Sequence, residues 1–133
     1  MLTIIDPKFI DYAWRDGASS LGDATKLVEE ITADQLKMIL SRGERILVRM
    51  DAEESVVGWG VFRVDQLPNL RVFFVTDLVA HNGHFENFYD ELRELARSFG
   101  CSRIRCAAQE AQSRLYRQKL GFKFLYTTLE AEV

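Results

Sequence analysis

The stretch Gln109-Glu-Ala-Gln-Ser-Arg-Leu-Tyr116-Arg-Gln-Lys-Leu-Gly-Phe122 reads as a short helix, Gln109 to Lys119, with its stop at Leu120-Gly121-Phe122. Glycine just past a last helical turn takes the left-handed backbone that ends a helix. On its N-terminal side Ser102 to Ala107 reads as a strand, and on its C-terminal side Phe122 to Leu129 reads as a strand that closes a sheet. Further back, Phe85, Phe88, Tyr89, Leu92, Leu95, Ala96 and Phe99 recur at helical spacing, and Gly100 ends that helix. Leu70 to Val75 is apolar apart from Arg71, as a buried central strand is. A strand, a long helix and a second strand in this order make two parallel neighbours, because a parallel return needs a crossover.

The first half supplies the remaining elements. Leu2 to Ile5 is a short first strand, and Asp6-Pro7 is an N-cap with proline at the first helical position. Phe9, Ile10, Ala13 and Trp14 give the apolar stripe of a helix that ends at Gly17 or Gly22. Thr32-Ala-Asp-Gln35 is a capping box, and Gly43 closes the helix it opens. Ile46 to Met50 and Val56 to Val64 form an antiparallel hairpin around Asp51-Ala-Glu-Glu-Ser55. Gly58 and Gly60 predict a bulge or a close backbone approach. The expected order is β, α, α, β, β, β, α, β, α, β.

The chain has 133 residues, enough for one domain, 1–133, whose core needs no disulfide or metal. Hydrophobic residues make up 47% and charged residues 28%, with nine Phe, so an ordered aromatic core is expected rather than disorder. The net charge of -3 argues against a nucleic-acid binder. Arg103, Arg105, Arg114, Arg117, Lys119 and Lys123 nevertheless gather in the last third, where they can attract an anionic ligand or form a solvated face. Cys101 and Cys106 lack the spacing of a zinc site and read as incidental thiols of a reducing compartment. The N-terminus shows no secretory pattern and no stretch matches a membrane span, so a cytoplasmic protein without membrane contact is expected.

This order resembles that of the GNAT family of N-acetyltransferases over most of the chain, most closely from Gln109 to Phe122. In that family the segment is an Asn, a short helix bearing a Tyr, and a Leu-Gly-Phe stop. Here Leu120-Gly121-Phe122 and Tyr116 match, and Gln109 keeps the amide in place of Asn. The resemblance implies an α/β fold, a mixed central sheet of about six or seven strands flanked by helices. It also implies acetyl-CoA as co-substrate, an amine acceptor on a small molecule or protein, and no metal. A homodimer is compatible with it. Degenerate members with altered loops resemble small proteins carried by tailed phages.

The resemblance gives Tyr116 the role of proton donor to the departing thiolate; by itself Tyr116 is equally an amphipathic core residue. Phe73 and Val75 would run beside the pantetheine arm. The pyrophosphate loop maps to Ala80-His81-Asn82-Gly83-His84-Phe85, at the start of the long helix, where free backbone N–H groups hold anions. Gly83 matches the family glycine, but Ala80 replaces a basic or amide residue and Phe85 replaces a small one. Gln109 and Ser113 are the remaining implied cofactor contacts. His81 and His84 read as exposed loop residues, as phosphate contacts or as metal ligands. Asp77, just past the central strand, reads as a capping turn residue or as the general base. Glu110 is the alternative base, though a first-turn carboxylate also favours the helix dipole. Trp14 and Trp59 belong to the core or to an acceptor wall.

Three functions fit: an acetyl-CoA-dependent N-acetyltransferase, a non-catalytic structural or interaction protein of the same fold such as a phage accessory or internal protein, and a regulatory domain that keeps CoA and transfers nothing.

Overall fold

The computed structural model describes residues 1–81 and 85–133. Among these, five strands form one sheet in the order β1 (Leu2–Ile5), β2 (Ile46–Ala52), β3 (Ser55–Gln66), β4 (Arg71–Ala80) and β5 (Arg103–Cys106). The first three pairings are antiparallel, and β5 joins β4 in parallel. Helices α1 (Ile10–Arg15), α2 (Leu21–Thr25) and α3 (Ala33–Ser41) precede the hairpin. Helix α4 (Phe85–Ser98) is the crossover from β4 to β5, and α5 (Glu110–Lys119) follows β5.

Local chemistry sets most boundaries. The Asp6 carboxylate accepts from the Lys8 N–H at 3.0 Å, opening a 3-10 turn with Pro7 at its start. Thr32 Oγ1 accepts from the Gln35 N–H at 3.2 Å, and Gln35 Oε1 accepts from the Thr32 N–H at 2.9 Å, so the capping box is complete. At the other end of α3, Gly43 has φ 73°; its N–H reaches the Leu40 carbonyl and the Glu44 N–H reaches the Ile39 carbonyl, a Schellman stop. Gly100 repeats the device after α4, with Cys101 N–H on the Ala96 carbonyl and both of those side chains buried.

Side-chain alternation along the strands separates two cores. On one face Leu47, Trp59 and Val61 pack under Ile10, Ala13, Leu21, Leu36 and Leu40 of the first three helices. On the other, Val48, Phe62 and Phe73 meet Leu92 and Ala96 of α4. Phe62 and Phe73 stack with ring centroids 4.1 Å apart, and Phe99 meets Phe62 edge-on at 5.3 Å. Full burial of each such side chain is worth about 1.5–3 kcal/mol.

Two expectations are corrected and one is narrowed. Among the described residues the sheet has five strands rather than six or seven, because Phe122 to Leu129, expected to close it, forms no strand and leaves Phe124, Tyr126 and Leu129 exposed. Of the two glycines expected to end the first helix, Gly17 does so at φ 122°; a 3-10 turn, Ala18–Ser20, then leads into α2, where a Cβ on Gly22 would come within 3.0 Å of that of Ala33. Strand β4 runs to Ala80, five residues past Val75, because β3 pairs with it that far.

Candidate functional site

The central feature is a fault in β4. Val61 of β3 faces Asp77, but the next residue, Phe62, faces Val75, so Thr76 is an extra residue bulged out of the ladder. A bulge bends its strand and increases the local twist. On the opposite edge, β5 follows β4 from Val72–Arg103 to Val75–Cys106 and stops there. Up to Val75 the parallel strands are joined; from Thr76 to Ala80, β4 continues with no partner on that side among the described residues. The result is a cleft of about 280 Å³, running from α2 past the bulge to α5.

The bulge also flips the side-chain alternation. Val75 belongs to the α4 face, whereas Asp77 shares a face with Val61 and the first three helices. Thr76 Oγ1 lies 2.8 Å from Asp77 Oδ2, where its proton is donated, and 3.4 Å from the Val61 carbonyl. Arg45 Nη1 stands 3.8 Å from the same carboxylate oxygen, and the Asp77 side chain is only 10% exposed. Asp77 is thus a strand residue lining the cleft beside a guanidinium, and not a residue of a turn after the strand.

Tyr116 closes the far wall. Helix α5 starts after Gln109, whose side chain makes no capping bond, and presents Gln112 and Tyr116 to the cleft. The Leu120-Gly121-Phe122 stop acts as expected: Gly121 has φ 71°, and the Phe122 N–H donates to the Tyr116 carbonyl at 3.3 Å. That turn folds the Phe122 ring against Tyr116, 5.9 Å between centroids, and against Tyr89 at 5.6 Å. Burial, with a smaller contribution from Cys106, raises the Tyr116 pKa above its usual value of 10.0, so its phenol keeps its proton at neutral pH. Burial also pushes the Cys106 thiol up, which makes it a poor nucleophile.

The residues singled out in the sequence divide as follows. Tyr116, Asp77, Val75, Phe85 and Gln109 meet in the cleft. Phe73 does not: its side chain is fully buried, stacked on Phe62 in the core under Leu92 and Ala96 of α4. Ser113 is half-buried one turn below Tyr116 and is not a wall residue, its N–H donating to the Gln109 carbonyl. His81 is exposed, its N–H on the Val57 carbonyl. Asn82, Gly83 and His84 lie outside the described residues. Phe85 points inward, packed with the α4 core, and its ring is 5.6 Å from that of Tyr116. Glu110 is exposed in the first turn of α5. Trp59 is buried in the core under the first three helices, and Trp14 is half-buried against that core. Among the described residues no three His, Cys, Asp or Glu side chains converge as metal ligands, and no helix is long and apolar enough to cross a membrane.

The cleft also contains residues the sequence reading passed over: Thr76, Leu78, Cys106, and Leu27 and Val28 at its α2 end. Leu27 and Val28 were legible as two adjacent apolar residues outside any helical stripe. The Thr76 bulge left no mark in the sequence.

No family model matches the chain, and no curated protein matches it in sequence. Solved structures do match in fold. The chain covers 100% of itself and 99% of a ribosomal-protein-alanine N-acetyltransferase from Brucella melitensis, at TM-score 0.72 and 13% identity. An aminoglycoside acetyltransferase from an uncultured soil metagenomic sample, in complex with trehalose, aligns at TM-score 0.71 and 10% identity, over 100% of this chain and 95% of that one. A predicted acetyltransferase with acetyl-CoA from Clostridium acetobutylicum aligns at TM-score 0.69 and 15% identity, over 99% and 95% of the two chains. The fold is that of the GNAT acetyltransferases.

Proposed function

We propose that this chain is an N-acyltransferase that moves the acetyl group of acetyl-CoA to an amine. The observation that carries the reading is the separation of β4 from β5 at the Thr76 bulge, in a cleft that Tyr116 overlooks. The cleft suits a pantetheine arm. Its walls include Val75, Leu78, Phe85, Ile104 and Phe122, and the uncovered edge of β4 offers peptide groups to an amide-bearing chain.

Acetyl-CoA supplies an acyl carbon activated by its bond to sulfur. Tyr116 holds a proton at its phenol and gives it, or a hydrogen bond, to the sulfur as the carbon–sulfur bond breaks. Asp77, an acceptor on the α1–α3 side of the cleft, takes the proton that the amine loses as its nitrogen bonds to the acyl carbon. Arg45 and Thr76 orient that carboxylate. The products are an amide and a free thiol. Leu27 and Val28 give the acceptor end an apolar wall that suits an amine bearing an apolar group.

Phe85 favours a second reading, a non-catalytic protein of this fold. Its ring leans on Tyr116 at the point where the cleft meets the start of α4. Titration calorimetry with acetyl-CoA, run beside an assay for thiol release with a panel of amines, tests the first reading. Binding with amine-dependent thiol release is expected. No heat at millimolar ligand, with binding appearing only in an Ala80→Arg/Phe85→Gly variant, would establish the second.

A further inference from the structure

Behind the cleft lies a second, smaller space of about 20 Å³, set between the sheet and α4. Met50, Gly60 and Phe88 help to enclose it, and its lining is apolar. Val75, Leu78, Phe85 and Leu92 border both this void and the cleft, so the two adjoin beside the Thr76 bulge. A space of this size has room for one water-sized or methyl-sized group.

Gly60 keeps the void open, and the fold does not require a glycine there. Gly60 pairs with Val48 on one side and Leu78 on the other, and Val48 belongs to the core under α4. Its φ is not positive. An added Cβ would meet the Leu78 Cδ1 at 3.7 Å and the Asp77 carbonyl oxygen at 3.9 Å, ordinary contacts that alanine would make without strain. Glycine inside a strand weakens it, and an unfilled apolar void forfeits contacts on every side. A position that gives up stability in this way, with no local reason, is what a functional constraint leaves behind.

The void lies where the acyl chain points. Under the acyltransferase reading, on which this inference rests, Asp77 serves the amine from the α1–α3 face of β4 and Tyr116 serves the sulfur from α5. The alkyl substituent of the acyl carbon is then directed away from the attacking amine, toward the α4 face that Val75 and Leu78 present. We propose that the void takes the terminal methyl of an acyl chain one carbon longer than acetyl. The chain therefore transfers propionyl groups as well as acetyl groups, and Gly60 sets the length. The step is unchanged: the acyl carbon bonds the amine nitrogen and leaves the sulfur, the amine proton passes to Asp77, and the Tyr116 proton passes to the thiolate. The products are a propionamide and free CoA thiol.

Thiol release with one amine and with acetyl-, propionyl- or butyryl-CoA tests the proposal, with titration calorimetry of the same three ligands beside it. Propionyl-CoA should exceed acetyl-CoA about fourfold in kcat/KM, and about fourfold in affinity, the worth of one methylene moved from water into an apolar site. Butyryl-CoA should fall at least tenfold below propionyl-CoA, since overpacking opposes it. Gly60→Ala, shown to be folded by circular dichroism, should bring the propionyl-to-acetyl ratio to one or below. Leu78→Ala should admit butyryl-CoA. Acetyl transfer with a propionyl-to-acetyl ratio of one or less in the native chain, or a ratio that Gly60→Ala leaves unchanged, would overturn the acyl pocket and leave the acyltransferase reading standing. Neither binding nor thiol release with any of the three would overturn both.

Discussion

Gly58 of β3 is the position where one methyl group should cost most. A Cβ placed there would lie 2.6 Å from the Val79 carbonyl oxygen, 3.0 Å from the Ala80 Cα and 2.7 Å from the Met50 Cε. The methionine tip can move aside. The first two atoms are backbone of β4 and can retreat only by spreading the β3–β4 ladder near the mouth of the cleft. Overpacking of this kind costs about 1–3 kcal/mol. For 133 residues the unfolding entropy is about 0.28 kcal/mol per degree, so Gly58→Ala should lower Tm by roughly 4–10 °C. Gly60, two residues on, is the internal control. Its added Cβ would meet Leu78 Cδ1 at 3.7 Å and the Asp77 carbonyl at 3.9 Å, ordinary contact distances. Gly60→Ala should leave stability unchanged or raise it by about 0.4–1 kcal/mol, by restricting the unfolded chain. Thermal unfolding of both variants by circular dichroism checks the pair. Equal Tm values for Gly58→Ala and Gly60→Ala would refute the claim that β3 and β4 approach most closely at Gly58.

The β2–β3 turn stores a second local cost, since Glu53 and Glu54 sit at φ 51° and 66°. Left-handed backbone costs an ordinary residue about 1–2 kcal/mol, so Glu53→Asn/Glu54→Gly should raise Tm by several degrees in the same melt. Burial raises the folded-state pKa of Cys106, Tyr116 and Tyr89 above 9.0 and 10.0. Their neutral forms are favoured in the folded chain, so this stability is fully present below about pH 9 and is lost as pH climbs through the raised values. Urea midpoints should therefore fall between pH 9 and pH 11; a rise would contradict the burial of these groups. Under the acyltransferase reading, Tyr116→Phe should cut kcat by about 10²–10⁴ with little change in acetyl-CoA affinity, measured by thiol release and calorimetry together.

How far the sequence could be read depended on how local the physics was. The Thr32 capping box, the Gly43 and Gly100 stops and the Leu-Gly-Phe stop before the exposed segment are decided within a few residues, and each is found where the pattern put it. The Phe85–Phe99 stripe needed only helical period to reveal the crossover. What escaped depends on neighbours. Thr76 is bulged because β3 pairs in one register below it and another above, which no property of Thr76 announces. The end of β4 was misplaced for the same reason: the β3 partner, not the apolar run, carries it to Ala80. Phe122 to Leu129 has strand propensity but pairs with no strand among the described residues, and propensity alone does not supply hydrogen-bond partners. Of the site, Tyr116 and Asp77 were singled out in the sequence and both line the cleft. Phe73 lies outside the cleft because strand periodicity does not say which residue of a face stacks under the crossover helix.

The central claim is that the cleft opened at Thr76 receives an acyl-CoA, and backbone amide NMR with added acetyl-CoA tests it most directly. Saturable shift changes should concentrate at Thr76 to Ala80 and at Gln109 to Tyr116, with the α3 amides unmoved. Changes confined to other surfaces, or none at millimolar acetyl-CoA, would contradict it.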